Sequence, residues 1–317
     1  MIAATPVEAQ CADAVLMVRP ARFGWNPETA ESNRFQRAGT GTGEAAAAAR
    51  EFDTLAACLA GAGVEVIVAE DSPEPVKPDA CFPNNWVSFH ADGSVVLYPM
   101  LAPSRRAERR PEVIDEVKRA GFHVSRIVDL SLLERRGEFL EGTGSLVLDR
   151  PSRTAYACGS PRTTPAALAE FAARLGYRIV TFDALGPDRR PAYHTNVLMA
   201  VGEGVAVLCA EAIPDAARRS AVHAVLAESG HEVIEIDAAG MGCFAGNLLM
   251  LRARDGGARI ALSEAAWRAL APDKRRRLEA HGSVVTAAIP TIERLGGGSV
   301  RCMLAEIFLP RGAPPRG

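Results

Sequence analysis

The sequence predicts an α/β chain of five β-β-α-β units closed into a ring. Three observations predict it: a recurring order of elements, a period near fifty residues, and a fifth unit divided between the two ends of the chain. Residues 85–90 alternate as a strand, Asp92-Gly93 turns, and 94–99 returns as a second strand. A helix over 105–120 and a strand over 122–128 complete this unit. The second unit reads 145–149, a turn at 150–153, 154–158, a helix over 164–175 and a strand over 178–182. The third reads 196–201, Gly202-Glu203-Gly204, 205–210, a helix over 215–229 and a strand over 232–236. The fourth reads 247–252, Asp255-Gly256-Gly257, 259–262, a helix over 264–280 and a strand over 283–288. The hairpins open near 85, 145, 196, 247 and 301, giving spacings of 60, 51, 51 and 54. The fifth unit pairs 301–309 with 14–19 and continues through an alanine-rich helix over 44–60 to a strand over 64–69. Joining the two ends in one sheet removes the open edges that an unclosed array would expose. A single domain with its core at about 14–309 and a flexible Pro-, Gly- and Arg-rich tail over 310–317 is expected. A conventional α/β sandwich is the architectural alternative.

Composition excludes several classes. Of 317 residues, 48% are hydrophobic and 23% charged, and 36 Lys and Arg against 38 Asp and Glu leave a net charge of −2. This is ordinary globular composition without the basic excess of a nucleic-acid binder. No apolar run reaches the roughly 20 residues that span a bilayer, and the opening residues lack a secretory pattern. A cytoplasmic protein is expected. Its seven cysteines are scattered, with no C-x-x-C pair, and its histidines show no H-x-H or H-E-x-x-H pairing. That pattern points to a reduced compartment, with neither a metal nor another cofactor.

Chemistry concentrates in the segments that lead into each first strand. They read Pro78-Asp79-Ala80-Cys81-Phe82-Pro83-Asn84-Asn85, Glu141-Gly142-Thr143-Gly144, Tyr193-His194-Thr195-Asn196, Gly242-Cys243-Phe244-Ala245-Gly246-Asn247 and Gly296-Gly297-Gly298-Ser299-Val300-Arg301-Cys302. A carboxylate, a histidine and a cysteine thus occupy equivalent places in different units. Glu141, His194 and Cys302 are the ingredients of covalent thiol catalysis, and distance in sequence is no obstacle to their meeting. The glycines before Cys302 favour it as nucleophile over Cys243, the main rival, and Cys81.

These residues resemble the guanidine-modifying superfamily of arginine deiminases, dimethylarginine dimethylaminohydrolases and amidinotransferases, whose fold is the five-bladed α/β propeller called the pentein fold. The resemblance runs from about residue 14 to 309 and is closest to the citrulline-utilisation hydrolase branch, through Pro83-Asn84-Asn85-Trp86 and the glycine run leading into Arg301-Cys302-Met303-Leu304-Ala305-Glu306. It implies Cys302 as nucleophile, His194 as general acid and base, and Glu141 as the acid of an E-G-G-D motif whose final acid is missing here. It also implies Asp79 and Phe82 at the reactive end of the substrate, Arg105 on the substrate carboxylate, and Arg162 as a second such arginine. Asn84, Asn85, Asn196 and Arg301 complete the expected binding set. Pairing with a thiolate should raise the pKa of His194.

Two departures bear on the substrate. Asn85 and Asn196 stand where deiminases carry aspartates. A guanidinium is cationic and all donor, which suits carboxylates. A ureido group is neutral and mixes a carbonyl acceptor with N–H donors, which suits amides. The expected reaction is hydrolysis of citrulline to ornithine, ammonia and carbon dioxide through a covalent Cys302 intermediate. The alternatives are a guanidino substrate, as in arginine deiminase or dimethylarginine hydrolysis, an amidinotransferase, or a catalytically silent binding propeller. The expected partner is a small amino acid, without nucleic acid or membrane, and a homodimer stays open.

Overall fold

The computed structural model describes residues 8–39 and 41–312. The opening residues read as lacking a secretory pattern include 1–7, which lie outside the described residues, as do 313–317 of the tail.

The backbone forms five separate three-stranded sheets. In each, the middle strand pairs antiparallel with one neighbour and parallel with the other. Val87–Phe89, Ser94–Leu97 and Arg126–Asp129 form one sheet, and Val147–Asp149, Thr154–Cys158 and Arg178–Phe182 the next. Met199–Val201, Val205–Leu208 and Glu232–Glu235 follow, then Leu249–Arg252, Ala258–Ser263 and Ser283–Ala287. In the fifth sheet Ala305–Ile307 pairs antiparallel with Ala14–Arg19, which pairs parallel with Glu65–Glu70. Leu16 lies opposite Ala305 on one side and Ile67 on the other, so the split unit forms as the sequence predicts. A parallel return needs a crossover, and a helical segment supplies it in every sheet.

Local chemistry sets the boundaries. Asp92 accepts the backbone N–H of Ser94 while Gly93 takes φ +81°, which makes the first hairpin turn. Asp215 and Ser263 cap their helices through Arg218 N and Ala266 N. Two helices predicted as continuous are each broken in two. Pro103–Arg106 is followed by Pro111–Arg119, and Glu264–Ala269 by Pro272–Glu279, because a proline can open a helix but cannot continue one. The strand predicted over 122–128 shortens to Arg126–Asp129.

The middle strands are buried while the third strands reach the surface. Ala14, Val15, Leu16 and Met17 are fully buried, whereas Ile127 is 52% exposed. Full burial of such a side chain contributes about 2 kcal/mol. First strands of different sheets touch: Ala305–Ile307 meets Val87–Phe89, and Met199–Val201 meets both Val147–Asp149 and Leu249–Arg252.

The segments before the first strands are not strands, as predicted for residues beyond 85, 145, 196 and 301, but single helical turns. They are Pro83–Asn85, Gly142–Ser145, Thr195–Val197 and Val300–Met303. The first turn touches the second and fourth, and the second touches the third. Four distant stretches of sequence thereby meet at one end of the molecule. At the other end a buried network joins Glu8 to Arg150 and Tyr177, and Gln10 to the carbonyls of Leu148 and Val201. The tail is bonded at its start: Pro310 accepts His123 N–H, Gly312 donates to Gly121, and Arg311 pairs with Glu65.

Candidate active site

The clustered turns enclose a cavity of about 10 Å³, room for roughly one water. Of the residues singled out in the sequence, Cys302, His194, Asp79, Phe82, Asn85, Arg105 and Arg162 line it. Cys302 sits in its helical turn 3% exposed, and His194 caps the turn beginning at Thr195. Glu141 lies behind the imidazole, fully buried, with Oε2 2.9 Å from His194 Nε2.

Electrostatics fixes the states of this pair. Burial alone would raise the pKa of Glu141, but Arg162, His194 and Arg105 outweigh it and hold the carboxyl well below its usual range. An ionised Glu141 can only accept, so His194 carries its proton on Nε2 and leaves Nδ1 free to take one. The expected rise in the His194 pKa is not found. Burial lowers it to about 4, Glu141 pulls the other way, and Arg162 and Arg105 reinforce the fall. The imidazole is therefore neutral at pH 7. Gly144 lies so close that a Cβ there would fall 2.7 Å from His194 Nδ1 and 2.5 Å from Asn85 Nδ2.

Asp79 is 2% exposed. Its Oδ2 accepts from Asn26 at 2.8 Å and Thr29 at 3.1 Å, while its Oδ1 has no hydrogen-bond partner. Burial raises its pKa against the opposing pull of Arg105. Phe82 packs under the glycine run, and a Cβ on Gly296 would fall 2.6 Å from its ring.

Other expected residues take different places. Arg105 does not present a free guanidinium for a substrate carboxylate. Its Nε and Nη2 bind Glu108 at 2.9 and 2.8 Å, Nη1 donates to Asn85 Oδ1 at 2.8 Å, and Nη2 also reaches the Phe82 carbonyl. Four of its five N–H donors are taken, because so deeply buried a charge needs partners. Burial in turn raises the Glu108 pKa to about 7 against the opposing charge of Arg105. Arg162 donates to Glu141, Ser32 and the Thr29 carbonyl. Asn84 bonds Thr143 Oγ1 and does not line the cavity. Asn196 lies behind the sulfur, its Nδ2 3.5 Å from Cys302 Sγ, not on the cavity wall. Arg301 turns away altogether: it binds Glu306 at 2.7 Å and lines a separate enclosed space with Gln10. Of the rival thiols, burial pushes Cys81 well above its ordinary pKa, and the exposed Cys243 lines a surface hollow with Phe244 and Arg294.

Sequence reasoning missed several participants. Tyr193 stacks 4.7 Å from the His194 ring, and its hydroxyl donates to the Gly297 carbonyl at 2.5 Å. Asn247 places Nδ2 3.4 Å from Cys302 Sγ. A strap over 26–36 covers the cavity, Asn33 and Gln36 both donating to the Gly296 carbonyl. Only Asn247 had a signal, its 51-residue spacing from Asn196.

Such an arrangement can move one proton on and off an imidazole that shares a small buried cavity with a thiol and with a carboxylate whose second oxygen is unpaired. A family model described as N,N dimethylarginine dimethylhydrolase, eukaryotic, matches residues 19–309. The chain belongs to this family. The family lies within the guanidine-modifying pentein superfamily. No curated protein sequence matches significantly.

Solved structures share the fold. The arginine dihydrolase ArgZ of the cyanobacterial ornithine–ammonia cycle superposes with a TM-score of 0.73 at 17% identity, covering 95% of this chain and 41% of its own. Its N-terminal domain with product bound gives 0.69 at 18% identity, covering 94% of this chain and 99% of that domain. Dimethylarginine dimethylaminohydrolase (DDAH) from Pseudomonas aeruginosa, a cysteine-to-serine mutant complexed with citrulline, gives 0.64 at 14% identity, covering 94% and 100%. The chain thus spans less than half of full-length ArgZ. Among the described residues, no helix is long and apolar enough to cross a membrane, and no group of three or more His, Cys, Asp or Glu is placed to hold a metal ion.

Proposed function

We propose that the chain is a thiol-dependent hydrolase that cleaves a C–N bond at the ureido or guanidino carbon of a free amino acid, with citrulline as substrate. The observation that carries this reading is the shared cavity of Cys302 and His194, with Glu141 bonded to the imidazole from behind. Neutral His194 takes the thiol proton, and the thiolate attacks the ureido carbon to form a C–S bond. The C–N bond to the ornithine nitrogen breaks as the imidazolium returns its proton to that nitrogen. A carbamoyl thioester remains on Cys302. His194 then takes a proton from water, the hydroxide attacks, and the thiolate leaves. The released carbamate decays to ammonia and carbon dioxide. Of the two N–H groups on Asn85 Nδ2, one donates to Asn84 Oδ1, and the second is available to a ureido oxygen.

A guanidino substrate is the second reading, favoured by the unpartnered Asp79 Oδ1. A buried carboxylate oxygen without a donor suits a cation. The family name and the arginine dihydrolase activity named for ArgZ support the same class. In either reading the five sheets are the blades of one propeller domain over 14–309, with the cavity at one end of its axis.

The test is a side-by-side assay of citrulline, arginine and dimethylarginine, with Cys302→Ser as blank. Ornithine and ammonia from citrulline, lost in the blank, are expected. Faster turnover of a guanidine replaces the first reading with the second. No turnover of any of the three removes both.

A further inference from the structure

Asn196 and Asn247 stand 51 residues apart, each just ahead of the first strand of its own sheet, and both side chains converge on one atom. Nδ2 of Asn196 lies 3.5 Å and Nδ2 of Asn247 3.4 Å from Cys302 Sγ. The orientation of Asn247 is determined by its other contacts. Its Oδ1 accepts the backbone N–H of Arg301 at 3.1 Å, and its Nδ2 also donates to the Asn196 carbonyl at 2.9 Å. Reversing the amide would set two carbonyl oxygens against each other and two N–H groups together. The side chain is fully buried, so water cannot replace a lost bond.

We propose that Asn247 is a catalytic residue that, together with Asn196, donates a hydrogen bond to the Cys302 sulfur and so stabilises the thiolate formed when His194 takes its proton. A thiol can also donate to Asn247 Oδ1, 3.7 Å away, so one amide serves both protonation states. A carboxylate at this place would offer the anion no donor. The point matters for substrate class, and here the inference rests on Cys302 being the nucleophile. A cationic guanidinium brings its own positive charge to the thiolate. A neutral ureido group brings none, so the enzyme must stabilise the anion itself.

The experiment follows alkylation of Cys302 by iodoacetamide against pH, read by mass spectrometry of the peptide, in a Cys243→Ser background that removes the exposed thiol. Asn247→Asp keeps the acceptor for Arg301 N–H and replaces the donor with an anion. Asn247→Ala removes the donor without adding charge, and thermal melting establishes that each variant is folded. Alkylation at pH 7 should slow about tenfold or more in both, with the rise in rate displaced to higher pH. Turnover of citrulline should fall further than turnover of arginine. A folded Asn247→Ala variant whose alkylation profile superimposes on its parent overturns the assignment. Because alkylation needs no substrate, a displaced profile in a protein inactive on all three amino acids would uphold Asn247 and reject the functional reading alone.

Discussion

Glu141 Oε2 lies 2.9 Å from His194 Nε2 and 3.2 Å from Arg162 Nη1, so one buried carboxylate oxygen both sets the imidazole tautomer and neutralises a buried guanidinium. Replacing Glu141 with Gln should therefore act twice. The imidazole loses its anionic acceptor, and turnover should fall by about 10²–10⁴. Arg162 loses its counter-charge while Arg105 keeps Glu108, and the stranded guanidinium should cost about 3–5 kcal/mol of stability. Steady-state kinetics and denaturant unfolding of the same variant check the two effects separately.

Gly144 gives a sharper steric test. A methyl group there would fall 2.5–2.8 Å from Asn85 Nδ2 and from His194 Nδ1 and Cε1. Gly144→Ala should displace the imidazole by a fraction of an ångström and lower kcat about 100-fold. The turn itself tolerates alanine, because Gly144 does not have positive φ. Melting should therefore change far less than activity, and near-normal kcat would show that the imidazole position is not critical.

The strap over 26–36 must move before an amino acid can enter so small a cavity. Asn33 and Gln36 tie it to the Gly296 and Gly297 carbonyls through three hydrogen bonds, each worth about 1 kcal/mol. The double variant Asn33→Ala, Gln36→Ala should be cleaved faster within the strap by a protease and should show a raised KM. Unchanged proteolysis would mean that the contacts to Asp79, Ser104 and Arg162 suffice to hold the strap.

Buried histidines make stability depend on pH in a defined direction. His90 is fully buried and its pKa is lowered from 6.5 to about 4, chiefly by burial. The unfolded chain takes up that proton first as pH falls, so the contribution of His90 is present above 6.5 and is lost toward 4. His194 acts with the same sign. Glu108, raised from 4.5 to about 7, acts oppositely, its contribution fading as pH rises between those values. Comparing His90→Gln with its parent isolates one group. The slope of unfolding free energy over pH 4–6.5 should drop by up to about 1.4 kcal/mol per pH unit, measured by urea titration at several pH values.

Much of this arrangement is legible in the sequence because repetition is. Asn85, Asn196 and Asn247 recur at equivalent places, and the strand pairing of Ala14–Arg19 with Ala305–Ile307 follows from counting units. What periodicity cannot show is which way a side chain turns once several charges are buried together. Arg301 sits in an expected segment, yet Glu306 draws its guanidinium out of the cavity, and Arg105 lines the cavity with Glu108 bonded to its guanidinium. The strap was equally hidden, since Asn26, Thr29, Asn33 and Gln36 have no repeat partner and acquire meaning only through Asp79 and the glycine carbonyls. The helix breaks are legible at Pro111 and Pro272, each of which opens a new helix, although the apolar spacing runs on through both.

The sheet assembled from Ala14–Arg19 and Ala305–Ile307 has a temporal consequence. On the ribosome the early strand emerges long before its antiparallel partner, and Cys302 emerges only just ahead of that partner. Until then the growing polypeptide carries an incomplete sheet and an unformed cavity. The cavity that Cys302 lines is thus completed in the same late step that completes the fifth sheet, and a nascent chain released early would carry an unpaired strand edge prone to stick to its neighbours.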